Sequence, residues 1–243
     1  QLAKLSRIAI LLLSTTGYSV TGFSDAIKTP NTKSSTMKNR EEMFYKIDYA
    51  VNKALKAFDV PGASVGIVVD GELILAKGYG LRDVGKKLPV TEETIFAIGS
   101  CTKAFTTFVL GVLVDKGLIE WDDLVVKHLP EFRLMDINIT NKITIRDLVT
   151  HRSGLPRHDF LWYGSDGSMK DFFSKLQHLD FVCDLREKFN YNNLMYGVAG
   201  IVVEKVTGKS WEDNVKQLIF EPLGMDNSNL FVEESKNNDN FSM

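Results

Sequence analysis

Residues 96–113 read FAIGSCTKAFTTFVLGVL, and the remaining elements of the chain can be placed relative to them. In the second half of this segment, apolar side chains recur with the period of an α-helix; they are Phe105, Phe108, Val109, Val112 and Leu113. The helix is expected to end at Asp115-Lys116-Gly117, because glycine readily takes the left-handed conformation that stops a helix. Ser100 then lies in the first turn of the helix, with Lys103 one turn further along the same face.

A serine and a lysine at this spacing are compatible with nucleophilic catalysis, although the spacing is common in proteins of this length. A serine hydroxyl becomes a good nucleophile only when a nearby base accepts its proton, and a lysine can be that base where its surroundings lower its pKa. The amino end of the helix also offers N–H groups to a developing oxyanion. The pattern alone leaves a second interpretation open, in which Ser100 only caps the helix.

Length and composition limit the classes of protein that the chain can belong to. Its 243 residues, 44% of them hydrophobic, suffice for one large domain or two small ones. A net charge of -2 offers no basic face for nucleic acid. Its two cysteines, Cys101 and Cys183, have no metal-like spacing, and Cys101 is expected to be a small buried residue. The sequence therefore predicts no metal, no cofactor and no nucleic-acid partner.

The amino-terminal residues have the composition of an export signal. Lys4 and Arg7 precede the apolar run IAILLL at 8–13, and a polar stretch follows. Residues 1–26 are therefore interpreted as a signal-peptide-like segment, with a buried amphipathic segment as the alternative. The protein is expected to be exported to the periplasm, the cell envelope or the medium. Residues 27–40 have the composition of a linker.

The folded part is expected to cover residues 41–232, followed by a polar tail at 233–243. A first helix is predicted over 41–58, and β-rich runs on both sides of Asp70-Gly71 predict a hairpin. Thr144 and Asp147 have the spacing of a capping box. Further helices are predicted over 168–176, 194–206 with Gly208 as the stop, and 211–219. This order of elements indicates an α+β protein.

Several motifs, in order along the chain, resemble the serine β-lactamase and penicillin-binding-protein family, in its class C and D,D-carboxypeptidase branch. The resemblance covers roughly residues 44–231 and is specific as an ordered set rather than through any single motif. The motifs are Val60-Pro61-Gly62-Ala63, Ser100-Cys101-Thr102-Lys103, the segment LVTHRSGLP at 148–156, FNYNN at 189–193 and, more weakly, EPLGM at 221–225.

The resemblance implies a β-lactamase/transpeptidase-like fold: an antiparallel sheet with flanking helices, and an all-helical subdomain. It implies acyl transfer, with Ser100 as nucleophile, Lys103 and Tyr191 in proton transfer, and Asn193 bonding the substrate amide and Lys103. By itself, Tyr191 could instead be a loop aromatic packed on the core. His151 is expected to be a loop residue that fixes the turn before Gly154. The implied partner is a small molecule or peptide: a β-lactam, a D-alanyl peptide or an ester.

The chain departs from the family pattern at its carboxyl end. The third motif of the family is not evident; Lys205-Val206-Thr207-Gly208 echoes it but is interpreted as a helix stop. The last strands of the family sheet are expected to be missing, so the domain is predicted to be incomplete. Two functions therefore stay open: a serine hydrolase, or a non-catalytic penicillin-binding-protein-like protein that lacks the third motif. The sequence does not indicate an oligomeric state.

Overall fold

The computed structural model describes residues 8–14, 37–161 and 169–242. Parts of the predicted signal-peptide-like segment (1–7 and 15–26) and most of the predicted linker (27–36) lie outside the described residues. The chain divides into two compact units, one made of residues 1–99 and 227–243, the other of residues 100–226. The first contains all the named strands and the second is helical, which confirms the predicted sheet and helical subdomain.

The first unit is an antiparallel sheet with a long helix. Its elements are β1 (Ile8–Ser14), α1 (Met37–Ala57), β2 (Gly62–Val69), β3 (Glu72–Asp83), β4 (Leu88–Pro89) and α10 (Val232–Lys236). The strand order is β1-β2-β3-β4. Asp70 and Gly71 form the predicted hairpin turn, with φ of 51° and 86°. Positive φ at both central residues matches the right-handed twist of the two strands that they join.

Helix α1 packs on the hairpin through apolar side chains and one charged cluster. Val65, Ile67 and Tyr79 are buried in the sheet, with partly buried side chains of α1 against them: Ile47, Val51 and Leu55. Asp48 of α1 accepts hydrogen bonds from Lys77 Nζ at 2.8 and 2.9 Å and from the Tyr79 hydroxyl at 2.7 Å. Because these donors lie on β3, the cluster fixes the helix against the sheet.

Two predicted boundaries of the first unit are wrong. Helix α1 begins at Met37, so residues 37–40 are helical rather than part of a linker. Methionine, lysine and arginine are good helix formers, and a polar composition does not prevent them from extending a helix. The predicted polar tail is ordered: α10 occupies 232–236, and Phe241 forms a parallel bridge with Ile95. Asn240 also donates to Thr91 Oγ1 at 2.8 Å.

The second unit consists of short helices around two longer ones. Its helices are α2 (Thr102–Asp115), α3 (Val125–His128), α4 (Ile137–Thr140), α5 (Ile145–Leu148), α6 (Met169–Lys175), α7 (Asn193–Thr207), α8 (Trp211–Val215) and α9 (Glu221–Leu223). Helices α2 and α7 pack against each other. Each buries one apolar face, including Val109 and Leu110 of α2 and Val198 and Val202 of α7. This packing fixes the starts of both helices, where the candidate site lies.

Local signals fix several ends of these helices. Thr144 and Asp147 form the predicted capping box at the start of α5, each side chain bonding the backbone N–H of the other. Helix α7 ends at Thr207, and Gly208 follows in the left-handed conformation with φ of 71°. The interpretation of residues 205–208 as a helix stop is therefore confirmed. Among the described residues, no helix is both long enough and apolar enough to cross a bilayer.

Candidate active site

Ser100 and Lys103 lie at the start of α2. Gly99, Ser100 and Cys101 form a single 3-10 turn that leads directly into the helix. Lys103 Nζ donates a hydrogen bond of 3.0 Å to Ser100 Oγ. Ser100 is exposed and Lys103 is half-buried, so the hydroxyl is open to a substrate while the lysine is held against the protein. Cys101 is also exposed, so its predicted burial is wrong; the 3-10 turn points its side chain outward before the buried face of α2 begins.

Tyr191 and Asn193 reach the same place from the start of α7. Asn192 between them is buried and is the N-cap of α7, accepting from the backbone N–H of Met195 at 2.9 Å. Its amide nitrogen donates to the Pro156 carbonyl at 2.6 Å. A buried side chain with both ends bonded has one orientation, so Asn192 fixes the side chains on either side of it.

The four residues predicted for the site are brought together by these two helix starts. The Tyr191 hydroxyl donates to Ser100 Oγ at 2.6 Å. Lys103 Nζ donates to Asn193 Oδ1 at 2.6 Å, in addition to its bond to Ser100. Ser100 Oγ thus accepts two hydrogen bonds from groups that can exchange protons with it. With its phenol protonated Tyr191 is the donor in this contact; once the phenol is ionised, the same oxygen is placed to accept the Ser100 proton, as general-base activation of a serine requires.

Aromatic rings surround the Lys103 side chain. Its Nζ lies 4.8 Å from the ring centroid of Tyr191 and 5.3 Å from that of Tyr196. An ammonium group is attracted to ring faces at such distances. The Tyr196 hydroxyl donates to the Val149 carbonyl at 2.8 Å, which holds that ring in place. The position of the Lys103 ammonium is therefore restrained by these two rings as well as by its hydrogen bonds.

The environment of Tyr191 changes its acidity. Partial burial opposes ionisation of the phenol, but hydrogen bonding to Lys103 and Ser100 and the charges of Lys103 and Arg157 outweigh it, so the pKa of Tyr191 lies below its usual value. A phenol with a lowered pKa is more readily available as the phenolate that accepts a proton. Tyr191 is consequently suited to proton transfer with Ser100.

His151 stacks on the ring of Tyr191. The two rings stack with centroids 4.4 Å apart and an interplanar angle of 28°. His151 Nδ1 accepts from the backbone N–H of Asn192 at 3.1 Å, so this nitrogen carries no proton. Burial and the charge of Lys103 lower the pKa of His151, in agreement with a neutral ring. The expected loop residue thus also packs against the predicted proton-transfer group.

The loop that carries His151 is tied closely to a neighbouring segment. The His151 carbonyl accepts from the N–H of Asn190 at 2.8 Å. Gly154 has φ of 83°, and a Cβ there would lie 2.3 Å from the Cys183 carbonyl oxygen. Only glycine fits this close approach. The two loops therefore hold each other, and Tyr191 follows directly after the second.

Sequence reasoning missed two charged residues of the site, Arg157 and Asp159. Asn193 Nδ2 donates to Asp159 Oδ1 at 2.9 Å, and Arg157 Nε donates to Asp159 Oδ2 at 2.7 Å. The Arg157 guanidinium carbon lies 5.0 Å from the ring centroid of Tyr191. Both residues come directly after the motif that ends at Pro156, which was the one available signal.

Metal ligands do not cluster in the part of the chain that the structure describes: it contains no group of three or more histidine, cysteine, aspartate or glutamate residues that could hold an ion. The candidate site offers hydroxyl, ammonium, phenol and amide groups from Ser100, Lys103, Tyr191 and Asn193.

Comparison with known families identifies the family of the chain. A family model described as Beta-lactamase matches residues 48–239. The chain belongs to the β-lactamase family. This confirms the resemblance on which the predicted fold was based, and the matched range includes all four predicted site residues. Their individual catalytic roles remain a prediction.

Several named proteins are similar to this member of the β-lactamase family. The unguisins hydrolase ungD' of Aspergillus campestris is 38% identical over 195 residues, which are 76% of this chain and 36% of that protein. An octameric penicillin-binding protein homologue from Pyrococcus abyssi is 32% identical with a TM-score of 0.72, over 82% of this chain and 47% of that one. A D-amino acid amidase from Ochrobactrum anthropi is 28% identical with a TM-score of 0.60, over 70% and 47%.

The chain spans about a third of the length of the curated relatives that it matches, from 34% to 39% of each. By name, the three proteins described above are a hydrolase of unguisins, a penicillin-binding-protein homologue and an amidase of D-amino acids. What they establish for this chain is the family and the fold.

Proposed function

We propose that this chain is a serine hydrolase in which Ser100 forms an acyl-enzyme with a β-lactam, a D-alanyl-type amide or an ester. The observation that carries the proposal is the pair of hydrogen bonds that Ser100 Oγ accepts, from Tyr191 at 2.6 Å and from Lys103 at 3.0 Å. The alternative role of Ser100 as a helix cap has less support, because the N-cap of α2 is Cys101.

Ser100, Tyr191, Lys103 and the N–H groups at the start of α2 are sufficient for acylation. Ser100 Oγ bonds to the substrate carbonyl carbon and its proton passes to the Tyr191 phenolate, next to the ammonium of Lys103. The carbonyl oxygen becomes an oxyanion near the N–H groups at the start of α2. When it collapses, the bond to the leaving nitrogen or oxygen breaks, and that atom takes the proton from Tyr191. In a β-lactam the leaving nitrogen stays attached to the acyl group, because the bond broken is in a ring.

Deacylation reverses the same proton transfer. A water molecule adds to the ester carbonyl and gives a proton to Tyr191, and Ser100 Oγ then leaves and recovers it. Asn193 is proposed to bind the substrate. Its amide nitrogen has two protons, of which one donates to Asp159, so the other is available to a substrate carbonyl. Lys103 keeps its place through its bond to Asn193 Oδ1.

The names of two relatives support hydrolysis as the type of reaction. One is a hydrolase of unguisins and another is an amidase of D-amino acids. The substrate of this chain is therefore sought among β-lactams, D-amino acid amides and esters. The same site without turnover would be a penicillin-binding module, which is the alternative function.

Turnover assays on three substrate types separate these functions. The purified chain is incubated with a chromogenic cephalosporin, with D-phenylalanine amide and with p-nitrophenyl acetate, and Ser100→Ala is the control. We expect steady hydrolysis of at least one substrate by the native chain and none above background by the variant. A folded native chain that hydrolyses none of them would support the non-catalytic alternative.

Export is also proposed, from the order of charged, apolar and polar residues at 1–26. Residues 8–14 of that segment form strand β1, whose backbone pairs with β2. The mature amino terminus of the secreted or envelope-associated protein, measured by mass spectrometry, tests this proposal. A protein that keeps residues 1–26 and stays inside the cell would contradict it.

A further inference from the structure

We propose that Asp159 is a positioning residue that holds the amide of Asn193 in the orientation Lys103 needs, and that Arg157 holds Asp159. The inference rests on the proposed function, because it assigns a role relative to Ser100. It concerns two residues outside the four that the sequence motifs indicate. Both lie in the segment after Pro156, in the same structural unit as the site.

The Asn193 amide has a bonded partner at each end. Its oxygen accepts from Lys103 Nζ at 2.6 Å and its nitrogen donates to Asp159 Oδ1 at 2.9 Å. An amide has two orientations of similar shape, related by rotation that exchanges oxygen and nitrogen. In the exchanged orientation, the nitrogen would face the ammonium of Lys103 and the oxygen would face the carboxylate. Both contacts would then be repulsive.

The carboxylate of Asp159 determines the orientation of the Asn193 amide at its nitrogen end. A carboxylate accepts hydrogen bonds and donates none, so it selects the nitrogen of Asn193 without ambiguity. Hydrogen bonds to charged groups are stronger than those between neutral groups, and losing one corresponds to roughly a ten- to hundredfold change in an equilibrium. Asp159 thereby keeps the acceptor oxygen of Asn193 directed at Lys103.

Arg157 fixes the position of that carboxylate. Its Nε donates to Asp159 Oδ2 at 2.7 Å, which leaves Oδ1 for Asn193. The pair is partly exposed, at 62% and 26% of the side chains, so its own contribution to stability is small. The role of the pair is to position side chains, because the guanidinium carbon of Arg157 also lies 5.0 Å from the ring centroid of Tyr191.

These contacts close a ring of side chains that begins and ends at the nucleophile. One branch runs from Ser100 through Lys103 and Asn193, and the other runs through Tyr191. The two branches meet at the ion pair, so the sequence of contacts is Ser100, Lys103, Asn193, Asp159, Arg157, Tyr191 and Ser100 again. A change at Asp159 is expected to reach Ser100 through Asn193, because that route consists of hydrogen bonds throughout, whereas the route through Arg157 includes a ring contact with Tyr191.

A purely structural role for Asp159 is the competing explanation, since it begins a 3-10 turn at 159–161. A double-mutant cycle separates the two. The variants are Asp159→Leu, Asn193→Ala and the combination, in the 243-residue chain. The measured quantity is the rate of covalent labelling of Ser100 by a fluorophosphonate as its concentration is varied, which separates binding from the maximal rate.

If Asp159 acts through Asn193, Asp159→Leu lowers the maximal labelling rate about ten- to hundredfold and changes the half-saturating concentration less than threefold. The double variant is then no slower than Asn193→Ala alone. Asp159→Asn is expected to recover part of the rate, because its oxygen still accepts from Asn193. The matched control is Asp122→Leu, which removes an exposed carboxylate bonded to Arg146 and is expected to change the rate less than twofold.

Two results overturn the inference: an unchanged maximal rate in Asp159→Leu, or a double variant slower by the product of both single effects. Absence of labelling in a folded native chain is a different failure, since it contradicts the proposed function itself. The side-chain amide signals of Asn193 in ¹⁵N NMR, identified by their loss in Asn193→Ala, decide the positioning claim even then. They are expected to shift in Asp159→Leu, and unchanged signals would refute it.

Discussion

The Tyr191 hydroxyl lies 2.6 Å from Ser100 Oγ although the two residues are 91 positions apart in the chain. The contact joins the turn before α2 to the start of α7, and the packing of those helices maintains it. Lys103 approaches the same oxygen from within its own helix. The chemistry proposed for the site depends on both approaches, and the predictions below test them separately.

Removal of the Tyr191 hydroxyl should impair acylation without unfolding the protein. In Tyr191→Phe the ring can still stack on His151, while the proton acceptor for Ser100 is lost. General acid–base groups contribute about 10²- to 10⁴-fold to a rate, so we expect a fall in this range in labelling of Ser100. The control is Tyr45→Phe, whose ring is 72% exposed. A labelling rate within threefold of the native value would exclude Tyr191 from proton transfer.

The pH profile should report the ionisation of Tyr191. The active form is the phenolate, so the acylation rate should rise with pH and fall as pH drops below the pKa of Tyr191. Because that pKa is lowered, the midpoint should lie below the usual value of about 10 for tyrosine. Arg157→Gln removes one of the cations responsible and should move the midpoint upward, whereas Arg146→Gln should not move it. The tyrosinate absorbance of the native chain minus that of Tyr191→Phe gives the same pKa independently.

His151 should make the protein less stable in mild acid. Its pKa is lowered in the folded state by burial and by the charge of Lys103. The unfolded chain therefore binds more protons between the folded pKa and about 6.5, and the free energy of unfolding decreases as pH falls through this window. Above 6.5 both states carry a neutral ring and the effect is absent.

His151→Asn is the variant that tests this, because asparagine tolerates the φ of 58° at this position. Urea unfolding at pH 7.5 and 5.5 should show a smaller difference in the variant than in the native chain, and a lower stability at pH 7.5 by about 1–2 kcal/mol. His178→Asn, at an exposed position, should behave as the native chain does. An equal pH dependence of stability in the native chain and in His151→Asn would show that His151 does not cause the loss of stability in mild acid.

Asp147 should matter for stability far more than an exposed carboxylate with a similar partner. It is buried, caps α5 and accepts from Arg186 Nη2 at 2.7 Å. Burial alone would raise the pKa of Asp147, but Arg186 and Thr144 more than compensate, and the pKa is lowered. Its contribution is therefore present above pH 4 and is lost as pH falls through the folded pKa.

Asp147→Asn should lower the free energy of unfolding by about 1–3 kcal/mol at pH 7, because an amide cannot accept all the hydrogen bonds that the buried carboxylate accepts from Thr144 and Arg186. Asp122→Asn, which weakens the exposed pair with Arg146, should cost less than about 1 kcal/mol. Chemical denaturation at neutral pH measures both. Equal losses in the two variants would mean that burial of Asp147 does not decide its contribution.

Features set by neighbouring residues were predictable from the sequence. The Asp70-Gly71 turn, the Thr144 capping box and the Gly208 stop each depend on a few adjacent residues, and the structure contains all of them. The spacing of Ser100 and Lys103 along one helix face is equally local. Their meeting with Tyr191 and Asn193 was expected only from the family resemblance, because no local rule joins positions so distant in the chain.

The features that were missed depend on tertiary contacts. The bond between Asp159 and Asn193 joins residues 34 positions apart, and nothing in the sequence PRHDFLWY at 156–163 indicates Asn193 as the partner of Asp159. The polar composition of residues 233–243 predicts a tail, yet Asn240 and Phe241 bond to residues near 91–95. Composition describes what a segment can bury, and it does not describe which backbone groups it can pair with.

Intact-mass spectrometry with benzylpenicillin tests the central claim, nucleophilic attack by Ser100, most directly. The native chain should gain the full mass of one penicillin, because ring opening releases no fragment, and fragmentation should locate it on Ser100. Cys101→Ala should be labelled equally, which excludes the adjacent exposed thiol as the acceptor. Ser100→Ala should gain nothing. An adduct of the same yield on folded Ser100→Ala, or an adduct located on Cys101, would contradict the account.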